Sequence, residues 1–133
     1  MIKKIIFDLD NTLIDLDQEA LKQMVEKNNT ISQEEYEKIL EVLFTYEQRH
    51  DKYSYLDLYE EINAVLTHKM TKEEYAKTLK TYATMVPKKQ NKKLIKTLEY
   101  LSEKYELVVL TNFFTEIQKA RLENYGILKY FSE

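Results

Sequence analysis

The hydrophobic positions of the chain follow two kinds of pattern, short unbroken apolar runs and stripes that repeat every three to four residues. Unbroken runs at residues 5–7 and 107–110 predict buried strands of a parallel sheet, and the first of these strands is predicted to cover residues 4–9. The stretch between them shows helical spacing, and a chain with one glycine and one proline has few residues that would break long helices. The pattern therefore predicts an α/β fold with a large helical insertion.

Four helices are predicted between the first run and Pro87. The first covers residues 17–28, and Ser54 is expected to cap the third. The second and fourth begin at Ser32–Glu35 and Thr71–Glu74, which have the Ser/Thr-x-x-Glu form of a capping box. The apolar stripe of the second helix consists of Tyr36, Ile39, Leu40, Leu43 and Phe44.

After Pro87 the α/β pattern returns. An amphipathic stripe over residues 91–104 predicts a helix, and so does the stretch 115–125, with Ile117, Ala120 and Tyr125 facing inward. Gly126 follows where a left-handed C-cap belongs, and residues 127–131 lead toward another strand.

The helical stretch is too long for a crossover connection. With ~70 residues reading as four helices, we predict a separate helical domain at residues 15–87. The remaining residues, 1–14 and 88–133, are predicted to form an incomplete α/β domain. A core bundle unrelated to any site is the alternative reading of the helical stretch.

The composition excludes several classes of function and of binding site for this chain. The chain has 133 residues, a net charge of −3 and no cysteine, which argues against a general nucleic-acid binder and excludes disulfides and thiolate metal sites. No apolar run approaches the ~20 residues of a membrane span. Charged side chains come too early in the chain to leave room for the apolar region of a signal peptide. We therefore expect a cytoplasmic protein without a membrane or nucleic-acid partner.

The first run ends in two carboxylates, Asp8 and Asp10, followed by Asn11 and Thr12. Ligands of parallel sheets bind at the carboxyl ends of strands, and residues i and i+2 of a strand point the same way. Asp8 and Asp10 are thus expected to face one crevice, where their mutual repulsion favours a hard cation such as Mg²⁺. An N-cap and turn cluster is the alternative interpretation.

Asp8-Leu9-Asp10-Asn11-Thr12 resembles the first signature, D-x-D-x-T, of the haloacid dehalogenase superfamily, in which Mg²⁺-dependent phosphatases dominate. The second run, which ends in Thr111-Asn112, resembles the second signature. The resemblance implies a partial Rossmann-like parallel sheet with an inserted four-helix cap that closes over the site.

The resemblance also implies roles. Asp8 would be the nucleophile and Asp10 the general acid and base, while the Asp8 carboxylate and the Asp10 backbone carbonyl would hold Mg²⁺. Thr12 would steady the loop through its hydroxyl, and Thr111 would donate to a phosphoryl oxygen together with the Asn112 amide. Because a halide leaving group needs no proton, the acid at position 10 favours phosphoryl transfer from a small phosphorylated metabolite. Thr111 could otherwise be a simple helix cap.

Two family features have no counterpart in the sequence. The lysine of the third signature and the acidic pair of the fourth are not found, so the chain is expected to be the N-terminal part of a longer protein. Strand 4–9 would then have an exposed edge that binds the C-terminal segment or a second copy; a monomer at every concentration would argue against this. A non-catalytic split domain and, less favoured, a phosphotransferase are the alternatives.

Overall fold

The computed structural model describes residues 2–49, 54–111 and 113–132. Within these ranges it is a mixed α/β structure with a small parallel sheet, as expected. Its elements, in chain order, are β1 Lys4–Phe7, α1 Gln18–Asn29, α2 Gln33–Arg49, α3 Tyr55–Ala64, α4 Lys72–Thr84, α5 Lys92–Lys104, β2 Glu106–Val109, α6 Thr115–Tyr125 and a 3₁₀ turn Leu128–Tyr130. None of the described helices is long and apolar enough to cross a membrane.

The described residues divide into two compact units. The α/β unit contains residues 2–16, 83–111 and 115–132, and the helical unit contains residues 17–49, 54–82 and 113–114. The boundary between Tyr82 and Ala83 therefore lies within the last turn of α4, and the two phenylalanines that follow the end of β2 belong to the helical unit.

In the α/β unit, β1 and β2 pair in parallel, from Lys4 opposite Glu106 to Phe7 opposite Val109. Strand β1 ends two residues earlier than predicted, because the chain turns into a hydrogen-bonded loop after Phe7. The alternation of side chains sends Ile5 and Phe7 against the core and leaves Ile6 60% exposed. The apolar run is thus buried on one face only, which differs from the sequence interpretation.

The end of the chain also differs from its prediction. Residues 128–130 form the 3₁₀ turn rather than the start of a strand. Only after it does the backbone reach the sheet, where the Ser132 amide donates to the Leu107 carbonyl at 2.9 Å. The extended conformation of Phe131 allows this contact.

The core of the helical unit is built from aromatic and aliphatic side chains of α2, α3, α4 and the loops that flank them. Its buried members are Ile31, Tyr36, Ile39, Tyr46, Leu58, Ile62, Leu66, Met70 and Tyr75. The stripe predicted for α2 is partly wrong, since Leu40 is exposed and Phe44 is 63% exposed, while Tyr46 is buried. The buried face follows the spacing of residues 36, 39 and 46, and the Tyr46 hydroxyl accepts a hydrogen bond from the Ser54 amide.

The predicted helix starts are confirmed. Ser32 and Glu35 exchange the two hydrogen bonds of a capping box at 3.2 Å, and Thr71 and Glu74 do so at 3.0 Å. The Ser54 hydroxyl accepts from the Asp57 amide at 3.5 Å, so α3 is capped as expected. Gly126 ends α6 with φ +86°, a conformation that glycine adopts without steric cost.

Glu35 connects its capping box to the loop after α3. Its carboxylate accepts from the Thr67 amide at 2.9 Å as well as from Ser32, and these backbone hydrogen bonds lower the pKa of Glu35 from its ordinary 4.5. A carboxyl whose pKa is lower in the folded chain contributes stability above its unfolded pKa. This contribution to stability disappears as the pH falls through the pKa that the carboxyl has in the folded chain.

We therefore expect Glu35→Gln to lower the melting temperature at neutral pH, with the difference from wild type shrinking as the pH falls below about 4.5. Thermal unfolding followed by circular dichroism from pH 7 to pH 3 measures this. Glu41→Gln, an exposed change on the same helix, is the matched control. A difference that stays constant over the whole pH range would contradict the prediction.

Candidate active site

The loop after β1 is a tight turn built on one carbonyl group. The Leu9 carbonyl accepts from the amides of Thr12 at 3.3 Å, Leu13 at 2.9 Å and Ile14 at 3.1 Å. The side chains of Leu9, Leu13 and Ile14 are buried in the core of the α/β unit. Apolar residues placed between the polar ones therefore anchor the loop, and its carboxylates are carried on a fixed backbone.

Asn11 supplies the sharpest bend of this loop. Its φ is +59°, in the left-handed region that asparagine tolerates better than most residues. Its amide donates to the Ile14 carbonyl at 2.8 Å, and its side-chain oxygen accepts from the Leu16 amide at 3.2 Å. These bonds close the loop over residues 11–16.

Asp8 lies directly after β1 with an exposed side chain. Its Oδ1 accepts from the amide of Leu9 at 2.9 Å, which orients the carboxylate relative to the loop backbone. An exposed carboxylate at the carboxyl end of a parallel strand is placed where ligands of such sheets bind. The Asp8 carboxylate is thus accessible from solvent at this edge of the sheet.

Asp10 is paired with a buried arginine. Its Oδ1 lies 2.7 Å from Nη1 of Arg121, whose side chain has no exposed surface, whereas the Asp10 side chain is 37% exposed. A fully buried guanidinium is very costly unless a counter-charge and hydrogen bonds accompany it. Asp10 supplies the charge and keeps part of its carboxyl at the surface.

The same arginine reaches the end of β2 through a glutamine. Nη1 of Arg121 donates to Oε1 of Gln118 at 3.0 Å, and Nε2 of Gln118 donates to the Thr111 hydroxyl oxygen at 2.9 Å. Gln118 and Arg121 both lie on α6 and are buried. Asp10 and Thr111, predicted separately from the two motifs, are therefore joined by one network of an ion pair and two hydrogen bonds.

Two predicted site residues remain, Thr12 and Asn112. Thr12 is exposed and contributes its backbone amide to the turn, while its hydroxyl makes no hydrogen bond within the described residues. The loop is therefore steadied by backbone bonds and buried leucines rather than by that hydroxyl. Asn112 lies outside the described residues, so the role expected of its amide stays a prediction.

Magnesium can be tested against the oxygen atoms that the loop offers. No group of three or more His, Cys, Asp or Glu residues suited to a metal occurs in the described part of the chain. The Asp8 carboxylate and the Asp10 backbone carbonyl are hard oxygen donors, and Mg²⁺ commonly takes one or two carboxylates together with waters and substrate phosphate. These two residues fit part of such a site. Asp17 caps α1 by accepting from the Ala20 amide at 3.0 Å.

Arg121 and Gln118 were not identified from the sequence. The predicted inward residues of α6 were Ile117, Ala120 and Tyr125; the structure buries Tyr125 but leaves the first two only half-buried, with Gln118 and Arg121 buried beside Leu122. A usable signal existed, because residues 118, 121, 122 and 125 share one helical face. Arg121 is also one of only two arginines among 20 basic residues.

Comparison with known proteins identifies the family and the fold of this chain. A family model for haloacid dehalogenase-like hydrolases matches residues 2–133. No curated protein matches the chain significantly. Solved structures with a similar fold include L-2-haloacid dehalogenase from Xanthobacter autotrophicus, with a TM-score of 0.64 and 18% identity, and a protein described as the HAD-hydrolase YfnB from Bacillus subtilis, bound to magnesium, with a TM-score of 0.69 and 14% identity.

The chain is shorter than these proteins. The match covers 99% of this chain and 55% of the dehalogenase, and 98% of this chain and 63% of YfnB. At such identities the similarity shows the fold alone.

Proposed function

This chain belongs to the haloacid dehalogenase-like hydrolases, and from that premise we propose that it acts as a Mg²⁺-dependent phosphatase on a small phosphomonoester. The observation that carries the proposal is the pair of carboxyl groups on the β1 loop. Asp8 is exposed and free to approach a substrate, and Asp10 is held by Arg121 at 2.7 Å with part of its carboxyl at the surface. One group suits nucleophilic attack and the other suits proton transfer.

The reaction follows in two steps. A carboxylate oxygen of Asp8 attacks phosphorus, forming an aspartyl-phosphate while the bond to the leaving oxygen breaks; Asp10, carrying a proton on Oδ2 while its Oδ1 stays beside Arg121, gives the leaving oxygen that proton. Asp10 then takes a proton from water as the water oxygen attacks phosphorus, which releases inorganic phosphate and regenerates Asp8. Mg²⁺, held by the Asp8 carboxylate and the Asp10 carbonyl, would offset the charge of the phosphoryl group.

Asp10 distinguishes this reaction from dehalogenation. An alkoxide leaving group needs a proton, whereas a halide does not, so a second carboxyl group beside the nucleophile favours phosphoryl transfer over dehalogenation. The structural similarity to a haloacid dehalogenase concerns the fold and carries no statement about the substrate of this chain.

The test uses three substrates, each with and without Mg²⁺: glycerol 2-phosphate, p-nitrophenyl phosphate and 2-chloropropionate. We expect metal-dependent phosphate release from the first two and no chloride from the third. Asp10→Asn should slow hydrolysis of the alkyl phosphate by roughly 10²-fold or more. Hydrolysis of the nitrophenyl ester should slow far less, since nitrophenolate leaves without a proton. Chloride release, or a folded chain that hydrolyses neither ester, would overturn the proposal.

A further inference from the structure

The buried network between the two motifs has a direction as well as a location. Arginine has five N–H donors and no acceptor. Since Nη1 of Arg121 lies 3.0 Å from the Gln118 amide, the atom that faces it must be the acceptor, Oε1. A flipped amide would place two donors against each other. The orientation of Gln118 is therefore set by Arg121.

That orientation reaches Thr111. With Oε1 turned to the arginine, the Gln118 group at 2.9 Å from the Thr111 hydroxyl is the Nε2 donor, so the hydroxyl oxygen accepts this bond. Its hydrogen must point elsewhere. We find no acceptor for that hydrogen among the described residues, and an anion arriving at the end of β2 would provide one.

We propose that Arg121 and Gln118 are positioning residues that direct the Thr111 hydroxyl hydrogen toward an anionic ligand. The inference rests on the proposed function, in which that ligand is the phosphoryl group. Asp10 completes the arrangement because its carboxylate keeps the buried Arg121 in place at 2.7 Å. One network thus fixes the position of the Asp10 carboxyl in the first motif and the direction of the Thr111 hydroxyl donor in the second.

Gln118→Glu tests the direction of the network. Glutamate has nearly the same shape but can only accept, so Arg121 keeps its partner while the Thr111 hydroxyl turns to donate to residue 118. We expect the dissociation constant for inorganic phosphate, measured by calorimetry, to rise at least about tenfold. Gln118→Ala leaves the hydroxyl free to rotate and should cost less affinity. Gln23→Glu, on exposed surface of α1, controls for the added charge.

A purely structural role predicts the opposite order. Truncation to alanine leaves a cavity and removes an acceptor from Arg121, so Gln118→Ala should then be the more damaging change for both unfolding and binding. Urea unfolding of each variant supplies the comparison. If phosphate affinity simply follows stability, the proposal is overturned.

A double-mutant cycle with Thr111→Val separates the hydroxyl from the charge. If Gln118→Glu acts through the Thr111 hydroxyl, it should cost little further affinity once that hydroxyl is gone, so the two changes are strongly non-additive. Additive losses would mean that the glutamate acts by repulsion alone and would overturn the proposal.

Arg121 provides a second route should Gln118→Glu fold poorly. Arg121→Lys keeps a donor-only group, so phosphate affinity should stay within about threefold of wild type, whereas Arg121→Met should lose at least about tenfold. If both variants fold and lose the same phosphate affinity, the result would contradict the proposal.

These measurements need no turnover. A chain that binds phosphate in the expected order but hydrolyses no ester would overturn the proposed function and leave the positioning role standing. A chain that hydrolyses esters with unchanged phosphate affinity in Gln118→Glu would do the reverse, and a folded wild-type chain that binds no phosphate would overturn the positioning role.

Discussion

Replacing Asp8 with asparagine is expected to lower phosphomonoester hydrolysis by roughly 10³-fold or more, because the amide cannot form the aspartyl-phosphate. The change is nearly isosteric and its site is exposed, so the fold should be unaffected. Steady-state phosphate release measures the loss. Acid-quenched intact mass spectrometry should show a phosphorylated species with the wild-type chain and none with Asp8→Asn.

The matched control is Asp15→Asn, the same change at another exposed carboxylate close to the same loop. It should leave hydrolysis within about twofold of wild type, since surface substitutions away from a site have small effects. If Asp8→Asn retained as much activity as this control, a different residue would be the nucleophile and the assignment of Asp8 would be wrong.

Leu9→Ala is expected to give the largest loss of stability in the motif loop. Leu9 lies between the two aspartates in the sequence, and its side chain is fully buried in the core. Truncating a buried leucine costs about 2–5 kcal/mol in the free energy of unfolding. Urea unfolding followed by circular dichroism measures the change. The loop that carries Asp8 and Asp10 should loosen with it, so hydrolysis should fall even under conditions where the chain remains folded.

Leu110→Ala is the control for this prediction. Leu110 follows β2 and is 70% exposed, so its truncation should change the free energy of unfolding by no more than about 0.5 kcal/mol. Similar losses for the two leucines would show that Leu9 does not anchor the loop in the folded chain.

Local chemistry made much of the fold predictable. Capping boxes at Ser32 and Thr71 and the left-handed Gly126 depend on residues within four positions of each other, so the sequence contains all their partners. The span predicted for α6, residues 115–125, agrees with the structure, and the left-handed Gly126 marks its end. Asp8 and Asp10 were identifiable because two carboxylates at the end of an apolar run are unusual.

The face that each element buries was harder to predict. Phe44 looked like part of the α2 core by spacing and hydrophobicity, yet Tyr46 is buried in its place, because partners from other parts of the helical unit select the side. Ile6 shows the same limit in the sheet, since alternation alone does not tell which face of a strand is covered.

The sequence by itself determined the helix starts, the two strands and the carboxylates at the end of β1, because each follows from neighbours along the chain. Only the tertiary structure decided that Arg121, 111 positions after Asp10, would be the counter-charge of that carboxyl and that Gln118 would link it to Thr111. The physical reason is that an ion pair between distant residues depends on how helix α6 packs beside the loop, and helical periodicity restricts that packing without specifying it.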